Sequence, residues 1–407
     1  MMDFNTACFF AFGLLFGGFL VLEGFDYGVG MLLPFLGKSD QERQVILNTL
    51  APVWEGNEVW LITAGAVLFA AFPIAYATLF SGLYLALVLI LAPLVLRGVA
   101  FEFRDKSPDR RWRGFWDWAL FSGSALPALL WGVTMGNLLG GLPINAGGQY
   151  AGTFGDLLGL YAISAGLLFV LLFLLHGATY LLLKADRRLG LRVEALSMRL
   201  CRLALLMALL FAAHTYLLLG PGLKPITGLL FLLLMAAMLL TGYCLDIRRR
   251  PGSFAGSSLA VAAATAAIFA ELYPRIAVSS LNARWSLDIY NAAANQLTLK
   301  IMSLTLGAVL PVIIGLEAWK YYIFRHRSTL AEVENAAQAS LVGRLNRDLR
   351  ALIAKADCVA DRLQQIANVL KGGNDGMRFK QGPGCGPPDK QQRDQKARGC
   401  EAESDQE

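Results

Sequence analysis

Apolar runs long enough to cross a bilayer as a helix, about 20 residues each, recur along the chain as far as residue 324, with short polar stretches between them. The pattern predicts nine spans, at 8–36, 46–72, 76–97, 115–138, 157–183, 199–219, 225–245, 254–274 and 298–324. Charge in the connecting segments supplies an independent check. Arg97, Arg104, Lys106, Arg110, Arg111 and Arg113 follow the third run; Lys184, Arg187, Arg188 and Arg192 follow the fifth; Arg248, Arg249 and Arg250 follow the seventh. Basic residues collect on the cytoplasmic side. By contrast Leu139 to Phe154 contains no Lys or Arg, and the segment after the eighth run has only Arg275 and Arg284. The alternation predicts an all-α polytopic membrane protein with its N-terminus outside and its C-terminus cytoplasmic. Eight or ten spans would break it.

Trp112, Trp116 and Trp118 flank the cytoplasmic start of the fourth span and Trp319 closes the ninth beside Lys320, as interfacial anchors do. From about Ser328 the pattern changes. Leu341, Leu345, Leu349, Ile353, Leu363, Ile366 and Leu370 recur at helical spacing among charged residues, which predicts an amphipathic cytoplasmic extension over 327–371 beyond a membrane domain of 1–326. The Gly- and Pro-rich stretch 372–407 has too little apolar content to pack and is expected to be disordered.

Composition supports this. Hydrophobic residues make up 56% of the chain and charged ones 16%, with mean hydropathy +0.51, more apolar surface than a water-soluble core of this length hides. The net charge of +6 sits in short loops, so it reads as membrane orientation and not as a nucleic-acid surface. Cysteines at 8, 201, 244, 358, 385 and 400 form no CxxC pair and no zinc spacing, so neither a structural disulfide nor a metal site is expected. The N-terminal run lacks a basic leader and a cleavage site, and reads as a retained first span.

Chemistry concentrates in the first two spans. Glu23 and Asp26 lie one turn apart in the first, within Leu22 to Gly30, and Glu55 and Glu58 share a face of the second, within Trp54-Glu55-Gly56-Asn57-Glu58-Val59-Trp60. A carboxylate at that depth costs several kcal/mol unless protonated, paired or hydrated. Counting from the cytoplasmic helix ends at about 1.5 Å per residue puts Asp26 and Glu55 both roughly 14 to 15 Å deep in an antiparallel pair, and Gly24, Gly28, Gly30 and Gly56 would let the two backbones approach. Two readings stand: a proton path or cofactor seat, and a packing seam with a protonated carboxyl bonded across it. Arg97 and Asp117, taken alone, read as an orientation charge and a helix-start acid. His176 and His214 lie within the fifth and sixth spans and His326 at the inner boundary. Such histidines serve as haem ligands or as hydrogen-bonding groups between helices.

Gly24 to Leu32, Pro52 to Leu61, Ala64-Gly65 leading to Phe69 through Pro73, Phe80-Ser81-Gly82, Arg97, Trp112-Arg113, Trp116-Asp117-Trp118, Gly136-Asn137-Leu138 and Asn295 to Leu299 together resemble subunit II of cytochrome bd-type ubiquinol oxidases. The resemblance covers residues 1 to about 326. It implies two four-helix bundles plus one peripheral helix, in the bacterial inner membrane. It implies a heterodimer with subunit I, which carries haems b558, b595 and d and the quinol-oxidising loop, while this chain is haem-free and helps deliver cytoplasmic protons for reduction of dioxygen to water. It leaves room for a small third subunit and a bound structural quinone. On this basis Asp26, Glu55 and Glu58 belong to the proton route, Arg97 and Asp117 support the partner's haem environment, and Trp54, Asn57 and Trp60 belong to packing or the quinone vicinity. Glu55 stands where Asp is familiar, a change of one methylene, and Lys300 is unexpected in the last span. The competing functional class is a proton-coupled secondary transporter, though no paired broken helices mark the two halves. A third reading is a scaffold with permanently protonated acids.

Overall fold

The structure, a computed structural model, describes residues 3–184 and 187–329 together with positions 331, 333, 359, 360 and 363. Apart from those positions, the expected extension over 327–371 and the tail over 372–407 lie outside the described residues.

Eleven helices carry the fold among the described residues: α1 Phe4–Leu36, α2 Asp40–Leu50, α3 Trp54–Ala71, α4 Pro73–Gly82, α5 Tyr84–Phe103, α6 Arg110–Gly140, α7 Leu160–Lys184, α8 Arg187–Leu219, α9 Pro225–Asp246, α10 Arg250–Leu272 and α11 Gln296–Ile323. Eight of them, all but α2, α3 and α4, are long and apolar enough to cross a membrane. The expected second and third spans are each divided. Pro52 has no N–H to continue α2, so the chain turns at residues 51–53 and resumes as α3. α3 then stops before Pro73, which takes the first position of α4. α2 is a short amphipathic helix capped by the Ser39 side chain, with Asp40 and Glu42 in its first turn, where the helix dipole favours acids. α3 is 18 residues long, about 27 Å at 1.5 Å per residue, and Glu55, Asn57 and Glu58 lower its hydropathy.

α1 is the hub, packing on α3, α6, α7, α10 and α11. Helices α7 to α10 close a ring, each touching the next and α10 returning to α7, while α6 joins α5 to α1 and α7. Among the described residues α11 packs mainly along α1 and α3, and of its own residues Leu299 and Leu306 are buried. At the arginine-poor end, Leu142 exchanges backbone hydrogen bonds with Val278 and Ser280, which ties the 141–159 segment to a small hairpin of β1 Arg275–Ala277 and β2 Leu287–Asp288. At the other end, buried Asp117 accepts from Arg43 at 2.6 Å and Arg104 at 2.7 Å, and Arg104 also donates to Asp40 at 2.8 Å, clamping α2 onto α6.

The glycines serve different seams from the one expected. A Cβ on Gly24 would strike the Phe173 ring of α7, one on Gly28 the backbone of Phe173 and Gly177, one on Gly30 the Ser124 side chain of α6, and one on Gly56 the Lys320 ammonium of α11. The α1–α3 approach is made at Gly18, against which the Trp60 ring lies. Gly28 and Gly177 bring α1 and α7 into backbone contact. Gly28→Ala is therefore expected to lower the melting temperature of the purified protein by the equivalent of about 1–3 kcal/mol or more, because backbone cannot rotate aside as a side chain can. An unchanged melting temperature would show that the two helices can part there at no cost.

Candidate functional site

Where α1, α3, α5 and α11 meet, charged groups are buried inside membrane-length helices. Arg97 of α5 is completely buried and forms an ion pair with completely buried Glu23 of α1. Gly123 of α6 makes this possible, since any side chain there would overlap the Arg97 backbone and Cβ. The guanidinium also lies 5.0 Å from the Tyr27 ring centroid and 5.8 Å from that of Phe101, favourable cation–π distances. A buried ion pair is held together mainly because neither charge can be left alone in a low-dielectric interior.

Asp26, one turn after Glu23, is also fully buried. Its Oδ2 accepts a hydrogen bond from Asn57 Nδ2 at 2.7 Å, and the same amide reaches the Leu22 carbonyl at 3.3 Å. Asn57 Oδ1 accepts from Lys320 Nζ at 3.1 Å and from the Tyr321 hydroxyl at 2.8 Å, both on α11. Several buried polar atoms here make no well-formed hydrogen bond: Asp26 Oδ1 and Glu23 Oε2, whose carboxyls are neighbours, Tyr27 OH, which lies near Trp131, and Arg97 Nε and Nη2. Such atoms are the usual partners of internal water. The arrangement can hold a proton on a carboxyl oxygen and pass it through short hydrogen-bonded steps.

The site residues expected from sequence separate into three places. Asp26, Asn57 and Arg97 come together. Glu58 is half-buried on the same helix as Asn57 and within the field of Arg97. Glu55 lies two residues before the Asn57 that meets Asp26 but projects from the exposed face of α3, with no hydrogen bond or ion pair among the described residues. Asp117 sits in the separate clamp with Arg43 and Arg104, not with Arg97. Trp54 stacks on Phe101 at 5.1 Å, and Trp60 is buried against Gly18 and edges an apolar groove of about 780 Å³ between α1, α10 and α11. Glu23 was not among the site residues expected, although its i,i+3 spacing to Asp26 was the available signal. Lys320 and Tyr321 carried none.

Both ring nitrogens of His176 are engaged, Nδ1 with Ser257 Oγ at 2.8 Å and Nε2 with the Val21 carbonyl at 3.0 Å. Iron ligation by His176 would cost one of these bonds. Ser164 Oγ lies 3.5 Å from Nδ1 of His214. No group of three or more metal-ligating side chains occurs among the described residues, and Cys8, Cys201 and Cys244 are free and buried.

The model of one family, cytochrome bd terminal oxidase subunit II, matches residues 4–324. The chain is 36% identical over 331 residues to cytochrome bd ubiquinol oxidase subunit 2 of Bacillus subtilis (strain 168), covering 80% of this chain and 97% of that one. It is 35% identical over 357 residues to cytochrome bd-I ubiquinol oxidase subunit 2 of Escherichia coli (strain K12), covering 79% and 94%. Its fold is similar to a chain in the structure of bd oxidase from Geobacillus thermodenitrificans, with a TM-score of 0.66 at 19% identity over 79% of this chain and 99% of that one. With a family match across α1 to α11 and eight membrane-length apolar helices among the described residues, this chain is a multi-pass membrane protein that belongs to the cytochrome bd terminal oxidase subunit II family.

Proposed function

We propose that this chain is the haem-free subunit of a quinol:oxygen oxidoreductase in the bacterial inner membrane, paired with a haem-bearing subunit I, and that it conducts cytoplasmic protons toward the site where dioxygen becomes water. The observation that carries the reading is Asp26: a fully buried carboxyl with one oxygen fixed by Asn57 and the other without a hydrogen-bond donor, beside the Glu23 carboxyl. The names of the relatives, ubiquinol oxidase subunits, support the reaction class. In this reading the nine expected crossings include α3, the N-terminus is outside, and the arginine-rich end faces the cytoplasm. Residues 1–326 form the membrane domain.

Glu55 fits as the outermost carboxyl of the route. It lies on the α3 face that also exposes Val59 and Ile62, an apolar surface suited to lipid or to a partner helix. Glu58 follows one turn deeper, then Asn57 and Asp26. Arg97 holds Glu23 and so shapes the field around Asp26, while Asp117 secures the cytoplasmic end of α6. Haem supplies the oxygen chemistry from the partner; the residues here hold and move protons. The apolar groove edged by Trp60 is the place where a structural quinone fits, and a small third subunit remains compatible with the exposed helices.

Purified in mild detergent, the chain is expected to bring with it a haem-bearing partner with red-region absorption. A colourless lone chain that moves a solute would favour the transporter reading instead. In the complex, Glu55→Gln is expected to slow quinol-driven oxygen uptake by about tenfold or more at unchanged haem content. Unchanged uptake would remove Glu55 from the route.

A further inference from the structure

α11 is the least buried of the long helices, yet its last turns send polar side chains inward. A lysine this near a helix end normally runs its ammonium out to the interface. Lys320 does not. Its side chain is only 18% exposed; Nζ donates to the Val53 carbonyl at 3.0 Å and to Asn57 Oδ1 at 3.1 Å, and pairs with Glu317 one turn back. Gly56 is what admits it, because a side chain at that position would collide with the ammonium. The Tyr321 hydroxyl adds a second donor to the same Asn57 oxygen at 2.8 Å.

The ammonium on Oδ1 bears on which way the Asn57 amide points. It has no lone pair with which to accept from an NH2 group, whereas the Tyr321 hydroxyl could accept as well as donate, so it is Lys320 that turns Nδ2 toward α1, where it meets Asp26 Oδ2 at 2.7 Å and the Leu22 carbonyl at 3.3 Å. The orientation of the residue that touches Asp26 is thus set from both sides, by Lys320 on α11 and by the Leu22 carbonyl on α1. We propose that Lys320 and Tyr321 are positioning residues for proton transfer: through Asn57 they keep an N–H on one oxygen of Asp26 and leave the other oxygen as the atom that takes and releases the proton. This rests on the reading of Asp26 as a proton carrier. Without the ammonium the flipped amide loses its main penalty, and its oxygen can then face a protonated Asp26 at the cost of the contact with the Leu22 carbonyl. A protonated Asp26 would donate to that oxygen and be held in its protonated form. The proton would be trapped at the point where it should pass.

The test uses the complex co-purified with its haem-bearing partner, with haem absorption reporting assembly. The infrared carboxyl band of Asp26 is identified by its disappearance in Asp26→Asn. Lys320→Met is expected to lower the turnover of quinol-driven oxygen uptake by about tenfold, to leave the KM for quinol unchanged, and to move the Asp26 band. Lys320→Arg, which keeps the charge and the donors, should restore most of the turnover. Tyr321→Phe should give a smaller loss with a band shift in the same direction. Wild-type turnover and an unmoved band in Lys320→Met, alongside an inactive Asp26→Asn, would overturn this inference and leave the proton route standing. Full turnover in Asp26→Asn would instead overturn the route itself. Should Lys320→Met fail to assemble, Tyr321→Phe decides: an unmoved band overturns the proposal.

Discussion

Asp26→Asn is expected to reduce quinol-driven oxygen uptake of the assembled complex by about a hundredfold or more while its haem spectrum stays intact. The amide has the size of the carboxyl, and its oxygen can still accept from Asn57 Nδ2, so packing should be little changed. It cannot take up and release a proton near neutral pH. General acid–base groups contribute about 10²–10⁴-fold, and a carrier without a parallel path carries the full loss. The measurement is oxygen consumption by the purified complex at saturating quinol, with haem content determined on the same sample. Near-normal uptake would mean that protons reach the partner without Asp26, and that its burial serves packing alone.

The second large effect is on stability. Arg97→Met leaves Glu23 buried with no counter-charge, in a place where both side chains are fully shielded. Breaking such a pair from one side costs about 3–5 kcal/mol, and the complex should melt at a markedly lower temperature or lose its partner. Glu23→Gln in the same chain should recover a large part of that loss, since a neutral amide beside methionine costs much less than an orphan carboxylate. The comparison to make is the melting temperature of the wild type, both single variants and the double. If the double variant melts no higher than Arg97→Met, the Arg97 contribution lies in its contacts with Tyr27 and Phe101 and not in neutralising Glu23.

The long apolar helices were legible in the sequence because lipid imposes a length on them. The limits of α9 at Pro225–Asp246 and of α11 at Gln296–Ile323 fall within two residues of the expected ones. The reading failed where proline interrupts an otherwise apolar run. Hydropathy averages across Pro52, whereas the backbone turns there, so the expected 46–72 span became α2 and α3, while Pro73 fell at an expected boundary and the 76–97 span divided at Leu83. The depth match between the first two acidic motifs was also legible, since Asp26 does meet the Trp54–Trp60 segment. Which residue it meets was not. Asn57 and Glu55 differ by two positions, about 200° around a helix, and periodicity alone could not say which faced inward. The glycines misled for a related reason: a small residue announces a close neighbour without saying which helix supplies it. Lys320 was hidden by its position, since a cation beside Trp319 near a helix end has the ordinary appearance of an interfacial anchor.

The backbone contact between α1 and α7 at Gly28 and Gly177 has a mechanical consequence. Helices separated by a layer of side chains can shear by rotamer adjustment, but two backbones in contact interlock. Gly132 and Gly136 of α6 meet Gly166 and Ala162 of α7 in the same way, so α1, α6 and α7 form a locked frame, to which Glu23 and Asp26 belong through α1. A frame of this kind suits a stator and not a rocker. Whatever passes Asp26 must therefore be carried by the small movers: carboxyl rotamers, hydroxyl hydrogens and water. Their steps take picoseconds to nanoseconds, against microseconds and longer for helix displacement.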